Sequence, residues 1–324
     1  TLPANNITNQ HPSRRNMTSH RNMPRQLVIL SGKGGTGKTS LAASLMHISS
    51  QSKHAGVYVD ADVDAANLAL VTTAKALETH PYWGSQTASI DPVLCNHSGN
   101  CFQVCRFDAI DQPNSSTDIY RVNGLLCEGC AACMYACPQS AIEMIKQQDG
   151  EWYHSMTPFG HLFHAELFPG AENTGKLVTT IKQNAKLFAE DHNLPMIIID
   201  GPPGIGCPVI SASAGADLAL LVAEPGVSGL HDLERISQTL NHFKIPVLIC
   251  INKADIYPQG TQTIEAYAQS HGYAIAGQIP YDDAVPQSIV NAQPVTQYAA
   301  SNPVSLAVSR IWETIQDSLF KDGV

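Results

Sequence analysis

A glycine-rich segment near the N-terminus constrains the fold of this 324-residue chain more than any other feature. The apolar run Leu27–Leu30 before it predicts a short buried strand, and residues 39–51 after it predict a helix. Between them, Gly32-x4-Gly37-Lys38-Thr39 fits the phosphate-binding loop pattern in the strand-loop-helix context that the pattern requires. We therefore expect an α/β fold with this loop at the carboxyl edge of its sheet.

The loop predicts a nucleotide site because its glycines allow backbone N–H groups to close around phosphate oxygens at a helix N-terminus. Lys38 is expected to neutralise the β- and γ-phosphates, and the Thr39 hydroxyl is expected to bind Mg²⁺. The predicted nucleotide-binding residues of the loop are Gly32, Gly34, Gly35, Thr36, Gly37, Lys38, Thr39 and Ser40.

Later apolar runs alternate with helical patterns. The runs are Met196–Asp200, Leu218–Val222, Val247–Ile251 and Ala274–Ile279. Helical stretches lie near 173–189, 208–215, 229–243, 260–270 and 303–319. This alternation predicts a doubly wound, mostly parallel sheet.

Charge and hydropathy exclude two classes of protein. The net charge of −9 and pI near 5.7 argue against a nucleic-acid binder, which usually has a basic face. No apolar run reaches membrane-spanning length and no secretory segment is visible, so we expect a cytoplasmic protein without membrane insertion. Residues 1–24 are polar and predict a disordered leader, with Met17 or Met23 as the true start.

Seven of the nine cysteines lie between Cys95 and Cys137. Disulfides would be the interpretation in a short secreted chain, whereas clustered cytosolic cysteines more often bind metal. Cys127-x2-Cys130-x2-Cys133-x3-Cys137-Pro has the spacing of the bacterial ferredoxin motif, with a structural zinc site as the alternative. We predict a small α+β two-cluster ferredoxin-like module at 91–146, inserted into a nucleotide-binding domain made of 25–90 and 147–324.

This segment contains an internal repeat of roughly thirty residues. Aligning its halves gives Cys95-x2-Ser98-x2-Cys101-x3-Cys105 for the first half, with Ser98 where the second cysteine is expected. The fourth cysteine of such a motif serves the other cluster. One [4Fe–4S] site is then complete, from Cys105, Cys127, Cys130 and Cys133. The other has only Cys95, Cys101 and Cys137, and three interpretations stay open: a [3Fe–4S] cluster, a [4Fe–4S] cluster with serine, water or a small ligand on one iron, or an empty site.

The loop has a second lysine, Lys33, and its Lys-Gly-Gly-x-Gly-Lys-Thr form resembles the deviant Walker A motif of the MinD/ParA/nitrogenase-iron-protein ATPases. That resemblance implies that Lys33 reaches the partner's nucleotide in an ATP-dependent homodimer. Asp60-Ala-Asp62 resembles the group's switch I, which implies that Asp62 orients the attacking water. Met196–Gly204 resembles its Walker B and switch II, which implies that Asp200 holds a Mg²⁺-bound water. The predicted catalytic residues are Lys33, Lys38, Asp62 and Asp200.

Together these features resemble MinD-superfamily ATPases with an inserted ferredoxin domain, over nearly all of residues 25–320. The resemblance implies ATP, Mg²⁺ and iron–sulfur clusters as cofactors. Asn252-Lys253-x-Asp255 resembles a base-recognition loop in the form that GTPases use for guanine, so GTP is the alternative nucleotide. Cys207 follows Asp200 at the offset of a cluster-ligating cysteine in the nitrogenase iron protein; the alternative is a small buried thiol beneath switch II.

Three functions follow from this combination. The leading one is an ATP-gated electron-transfer switch acting on an unidentified redox partner. The second is an iron–sulfur cluster assembly or delivery ATPase resembling the Mrp-type carriers, although no cysteine lies near the C-terminus, where those carriers hold their cluster. The third is a redox-sensing switch that partitions by nucleotide state, as ParA-like proteins do.

Overall fold

The computed structural model describes residues 23–114, 119–171, 174–226 and 228–320. The predicted disordered leader lies outside the described residues except for its last two positions, which precede the first strand. The first strand begins at Arg25, and the last helix ends at Phe320.

The elements are numbered in chain order. The strands are β1 Arg25–Ser31, β2 Val57–Asp60, β3 Lys75–Ile90, β4 Ile110–Asp111, β5 Arg121–Val122, β6 Ile142–Thr157, β7 Gly160–Leu167, β8 Met196–Pro203, β9 Leu218–Ala223, β10 Val247–Asn252 and β11 Ala274–Ile279. The helices are α1 Lys38–Ser50, α2 Leu68–Val71, α3 Asn100–Val104, α4 Ala132–Ala136, α5 Thr174–Asp191, α6 Cys207–Ser213, α7 Gly229–His242, α8 Pro258–His271, α9 Ala284–Val290, α10 Val295–Tyr298 and α11 Pro303–Phe320.

Nine strands form one mixed sheet in the order β11-β10-β9-β1-β8-β2-β7-β6-β3. The seven strands from β11 to β7 are parallel, and β6 and β3 continue the sheet as antiparallel strands. The predicted mostly parallel α/β fold is confirmed.

Helices cover both faces of the parallel part. Successive residues of β1 alternate between the faces, with Val28 and Leu30 in one apolar cluster and Leu27 and Ile29 in the other. Helices α5, α7 and α8 pack on the first face, and α1 and α11 pack on the second. Because both faces are buried, these strands read as continuous apolar runs, which explains why the sequence predicts them so directly.

A long antiparallel ribbon of β3 and β6 carries the cysteine-rich segment. Strand β7 ends at Leu167, opposite Gly150, whereas β6 extends beyond that point back to Ile142. Because β7 is parallel to the central strands, this extension projects from their carboxyl edge. Residues 91–141 lie between the ribbon strands, so the predicted boundary at 146 falls inside β6.

Strand β3 has no counterpart among the sequence predictions. It is an edge strand of the sheet, and half of its residues are exposed, including Leu77 at 54% and Trp83 at 51%. Pro81 lies within it, which an edge strand tolerates because one side of its backbone needs no ladder hydrogen bond. The alternation of buried and exposed residues that would predict a strand is therefore weak here.

Candidate functional site

The glycine-rich loop connects β1 to α1 at the carboxyl edge of the sheet. Gly35 and Gly37 have φ values of +79° and +87°, in the left-handed region that favours glycine. A Cβ atom on Gly37 would lie 2.3 Å from Nδ2 of Asn252, and one on Gly32 would lie 2.4 Å from the backbone oxygen of Asp232. Backbone curvature and close neighbours therefore require glycine at these positions.

Asn252 joins the base-recognition segment to the loop. It ends β10, and its Nδ2 donates a hydrogen bond to the Thr36 carbonyl oxygen at 2.7 Å. Three residues on, Oδ1 of Asp255 accepts from the Tyr281 backbone N–H at 2.7 Å. The two segments border a cavity of about 340 Å³, whose walls include Gly37, Asn252, Lys253, Pro280, Tyr281 and Ile289. This volume lies in the range of small-molecule sites.

Lys38 is buried among carboxylates. Its Nζ lies 2.9 Å from Oδ1 of Asp200 and 3.8 Å from Oδ2 of Asp62. Burial alone would lower the pKa of Lys38, but these carboxylates raise it above its ordinary value, so the ammonium stays charged at neutral pH. The structure thus brings together three of the four predicted catalytic residues.

Asp60 is a further site residue whose role the sequence did not predict. It is fully buried, and its two oxygens accept from the backbone N–H groups of Asp62 and Leu68 at 3.2 and 3.0 Å. Burial and the nearby Asp200 raise its pKa well above the ordinary value. Asp60 therefore fixes the segment that presents Asp62, and the signal in the sequence was the polar residue that ends a buried strand.

Two buried polar atoms of this site have no hydrogen-bond partner among the described residues: Oγ1 of Thr36 and Oδ2 of Asp200. Buried polar groups are almost always paired in folded proteins. Thr39, beside them at the start of α1, is partly exposed. A hydroxyl and a carboxylate oxygen that need partners, next to a buried ammonium, suit a Mg²⁺-bound nucleotide.

Lys33 is held within its own chain. Its Nζ lies 3.2 Å from the Ser228 hydroxyl and 3.9 Å from Oε2 of Glu224. Glu224 also binds Lys253, at 2.8 Å. Cys207 is exposed at the start of α6, so the expectation of a buried thiol is wrong. The residue follows a sharp turn after β8, which carries it to the surface.

The cysteine module has an internal two-fold arrangement. The Asp91 N–H donates to the Ala141 carbonyl, and the Asn123 N–H donates to the Ala109 carbonyl, both at 2.8 Å. Each bond joins one half to the other. The two donor residues are 32 residues apart in sequence, and so are the two acceptor residues. Helices α3 and α4 are equivalent at the same offset. The repeat expected from sequence is therefore a repeat of structure.

The two halves exchange their fourth cysteines. One cavity is lined by Cys105 of the first half together with Cys127, Cys130 and Cys133 of the second. In the other set, burial is the largest cause that raises the pKa of the Cys101 thiol, and the nearby Cys95 and Cys137 raise it further. These three cysteines therefore lie close together. All seven cysteines thus fall into the two sets expected from sequence.

The described residues contain no group of three or more His, Cys, Asp or Glu side chains arranged to hold a single metal ion. They therefore offer no ready zinc site, the alternative for these cysteines. A cluster of four irons is wider than one ion, so its thiolates stand further apart. The donor chemistry fits such a group, because four thiol side chains lie together among apolar residues such as Ile110 and Met144.

The fold and the loop define a P-loop nucleotide-binding protein. The family described as the CobQ/CobB/MinD/ParA nucleotide binding domain matches residues 27–295, and the chain belongs to this family. It is 34% identical over 295 residues to the uncharacterized protein MJ0578 of Methanocaldococcus jannaschii, a match that covers 90% of this chain and 96% of that protein.

Solved structures share the fold. The septum site-determining protein MinD of Pyrococcus horikoshii, complexed with Mg-ADP, has a TM-score of 0.58 at 19% identity and covers 93% of this chain and 98% of its own. A ParA family ATPase of Chlorobium tepidum has a TM-score of 0.51 at 18% identity, covering 89% and 98%. Within the described part of this chain, every helix is too short or too polar to cross a bilayer.

Proposed function

We propose that this chain is an ATPase that acts as a homodimer and gates electron transfer by iron–sulfur clusters in its inserted module. The observation that supports this most is a shared edge: the ribbon that carries the cysteine module projects from the same edge of the sheet as the phosphate-binding loop. A change in nucleotide state at that edge would act next to the base of the ribbon.

The residues of the loop would bind and orient Mg-ATP. Backbone N–H groups from Gly34 to Thr39 would cradle the phosphates, and Lys38 would turn from Asp200 toward them. Thr39 and Asp200 would hold the metal, which would supply charge neutralisation at the transferring phosphoryl group. Asp62, anchored by Asp60, would position the attacking water. The Mg-ADP of the MinD structure and the two unpaired buried oxygens support this assignment.

Adenine is the base that the cavity favours. A guanine-reading aspartate accepts two N–H groups of the base with its carboxylate oxygens, and one of the two oxygens of Asp255 already accepts from the Tyr281 N–H. Asn252 donates to the Thr36 carbonyl of the loop, and it also lines the cavity, where it remains a predicted nucleotide-binding residue. We expect ATP to bind more tightly than GTP in a competition titration, and equal binding would refute this part of the proposal.

Lys33 would leave its own chain's Glu224 and Ser228 and reach the partner's nucleotide in the dimer. A partly exposed ion pair at 3.9 Å is worth little, so the exchange is energetically accessible. Lys33→Ala should abolish ATP-dependent dimerisation measured by light scattering. Lys53→Ala, at an exposed lysine outside the loop, is the matched control and should dimerise normally.

The cysteines would hold two clusters, the complete set Cys105, Cys127, Cys130 and Cys133 and the set Cys95, Cys101 and Cys137. When bound, such clusters exchange single electrons with protein partners. The chain's own contribution is the module, whose halves hold each other by reciprocal backbone hydrogen bonds, and the ribbon, which fixes the module to the sheet.

The full-length protein, purified without oxygen, tests the coupling. Iron and sulfide are assayed first, and the EPR spectrum and the rate of reduction by dithionite are then compared with MgATP, with MgADP and without nucleotide. We expect a reducible cluster whose spectrum or reduction rate changes with MgATP, and no such change in Lys33→Ala. Clusters that behave identically in all three states would refute gating.

Cluster delivery is the second candidate, favoured by the set that has only three cysteines. A labile cluster there would pass to an acceptor. Transfer from the loaded protein to an apo-ferredoxin, followed by circular dichroism in the visible range, distinguishes the two functions. Rapid ATP-dependent transfer supports delivery, and retention of the cluster through many ATP turnovers supports electron transfer.

A further inference from the structure

We propose that Ser98 is the fourth protein ligand of the second cluster and binds iron through its side-chain oxygen. This inference rests on the proposed iron–sulfur function, and it selects one of the three interpretations that the sequence left open. It makes the site of Cys95, Cys101 and Cys137 a four-ligand site rather than a three-ligand one.

The backbone around Ser98 repeats that around Cys130. Each residue stands between two residues in the left-handed conformation: His97 and Gly99, with φ values of 59° and 76°, flank Ser98. Gly129 and Ala131, with 64° and 62°, flank Cys130. In both halves a five-residue helix begins directly after the second of these left-handed residues. The Ser98 side chain therefore leaves the chain as the Cys130 side chain does.

Exposure follows the same order in both halves. Of the four ligand positions in each cysteine motif, the first and fourth are partly buried, the second is exposed and the third is buried. Ser98 and Cys130 both occupy the exposed second position. The Ser98 backbone N–H donates a hydrogen bond to the Asn96 side chain, but the Ser98 hydroxyl has no hydrogen bond to any residue that the structure describes. The oxygen is thus free to bind a ligand.

His97 indicates that the loop shape is kept under constraint. In the second half the equivalent residue is Gly129, where a Cβ atom would lie 2.4 Å from the Gln86 carbonyl oxygen. In the first half a histidine adopts the same left-handed conformation, at an energetic cost that glycine avoids. Such strain persists where surrounding structure requires it, and it is often found at functional sites.

The binding step changes no oxidation state. The Ser98 hydroxyl loses its proton to bulk water, which the exposed position permits, and the oxygen donates an electron pair to the fourth iron. Bonds to oxygen are shorter than bonds to sulfur, so the loop must approach the cluster by a fraction of an ångström. An alkoxide is a harder ligand than a thiolate and stabilises the oxidised cluster, so the second cluster should have the lower reduction potential.

Metal counting on the full-length protein tests this, with Mössbauer spectroscopy to identify the clusters. Two cubanes contain eight irons and eight sulfides, whereas one cubane and one [3Fe–4S] cluster contain seven irons and eight sulfides. We expect eight irons in the wild type and in Ser98→Cys, and seven in Ser98→Ala. The potential of one cluster should rise in Ser98→Cys. ATP binding verifies that each variant is folded.

The outcomes separate this inference from the proposed function. Seven irons in the wild type, unchanged in Ser98→Ala, would overturn serine ligation and leave the cluster function intact. Eight irons in both would also overturn it, because the fourth ligand would then be water or a small molecule. Four irons would mean an empty second site. No iron in any variant would refute the proposed function itself.

Discussion

The contact between Gly37 and Asn252 gives a sharp test of how the phosphate-binding loop is held. Gly35 and Gly37 both have left-handed backbone conformations, but their surroundings differ. A Cβ atom on Gly35 would meet nothing within 4 Å, whereas one on Gly37 would lie 2.3 Å from Nδ2 of Asn252. Gly35→Ala is therefore a matched control for Gly37→Ala, because it introduces the same backbone strain without the clash.

The expected costs follow from these contacts. An alanine in the left-handed region costs about 1–2 kcal/mol, partly offset by about 0.5–1 kcal/mol from the less flexible unfolded chain. Gly35→Ala should thus lower the free energy of unfolding by about 1 kcal/mol. In Gly37→Ala the Asn252 side chain must also turn away and lose its bond to Thr36, which adds about 1–2 kcal/mol. The total is about 2–3 kcal/mol.

Urea unfolding without nucleotide measures both costs by linear extrapolation. Asn252→Ala completes a double-mutant cycle with the glycine variants, because it removes the side-chain atom that the new methyl group at position 37 would contact. In the Asn252→Ala background the two glycine variants should differ by less than about 0.5 kcal/mol. A difference that persists there, or equal costs in the wild-type background, would refute the argument that Asn252 holds the loop.

Three further outcomes are expected. Burial lowers the pKa of His164 to about 4, so the unfolded chain takes up its proton first as pH falls. Stability should drop by up to about 3 kcal/mol between pH 6.5 and 4, and the urea midpoint of His164→Asn should fall less over that range. Glu224→Gln removes the carboxylate that pairs with both Lys33 and Lys253, and should strengthen ATP-dependent dimerisation in light scattering at a stability cost of about 1 kcal/mol or less. Weaker dimerisation would contradict the release of Lys33. Cys207→Ala should keep its full iron content, and a loss of iron would make the thiol a ligand.

The parallel half of the fold was predictable because its strands are buried on both faces. Met196–Ile199 and Val247–Ile251 are continuous apolar runs, and each is followed by a polar residue, Asp200 and Asn252, at the carboxyl edge of the sheet. The ribbon was not predictable. Strand β3 combines exposed apolar residues with a proline, and its partner β6 begins inside the predicted module. Only the pairing of two segments that are distant in sequence makes them strands.

The candidate site shows the same division. Spacing alone assigned Cys105 to the cavity of Cys127, Cys130 and Cys133, and the structure brings these four together. The anchoring role of Asp60 could not be read from sequence, because it depends on backbone N–H groups that the fold brings to its carboxylate. Residues expected to contact a ligand could be predicted, because their types and spacing form the motif. Residues that hold the motif in place could not, because their role depends on tertiary contacts.

In the proposed function, the ribbon determines how the module could respond to the nucleotide. It leaves the sheet at Gly150, which pairs with both Leu167 and Tyr82, and two of its three register shifts lie just beyond Tyr82. That point is packed rather than loose: Tyr82 and Asp149 are buried, and Gly84 fits against both with no room for a Cβ atom. Burial and the nearby Asp149 raise the pKa of Tyr82 to about 12, so its hydroxyl stays neutral there. A stiff joint at the sheet edge would move the module with the sheet as one body. In the proposed dimer, a nucleotide-driven change would then alter what the module faces on the partner subunit, rather than the cysteine sets themselves.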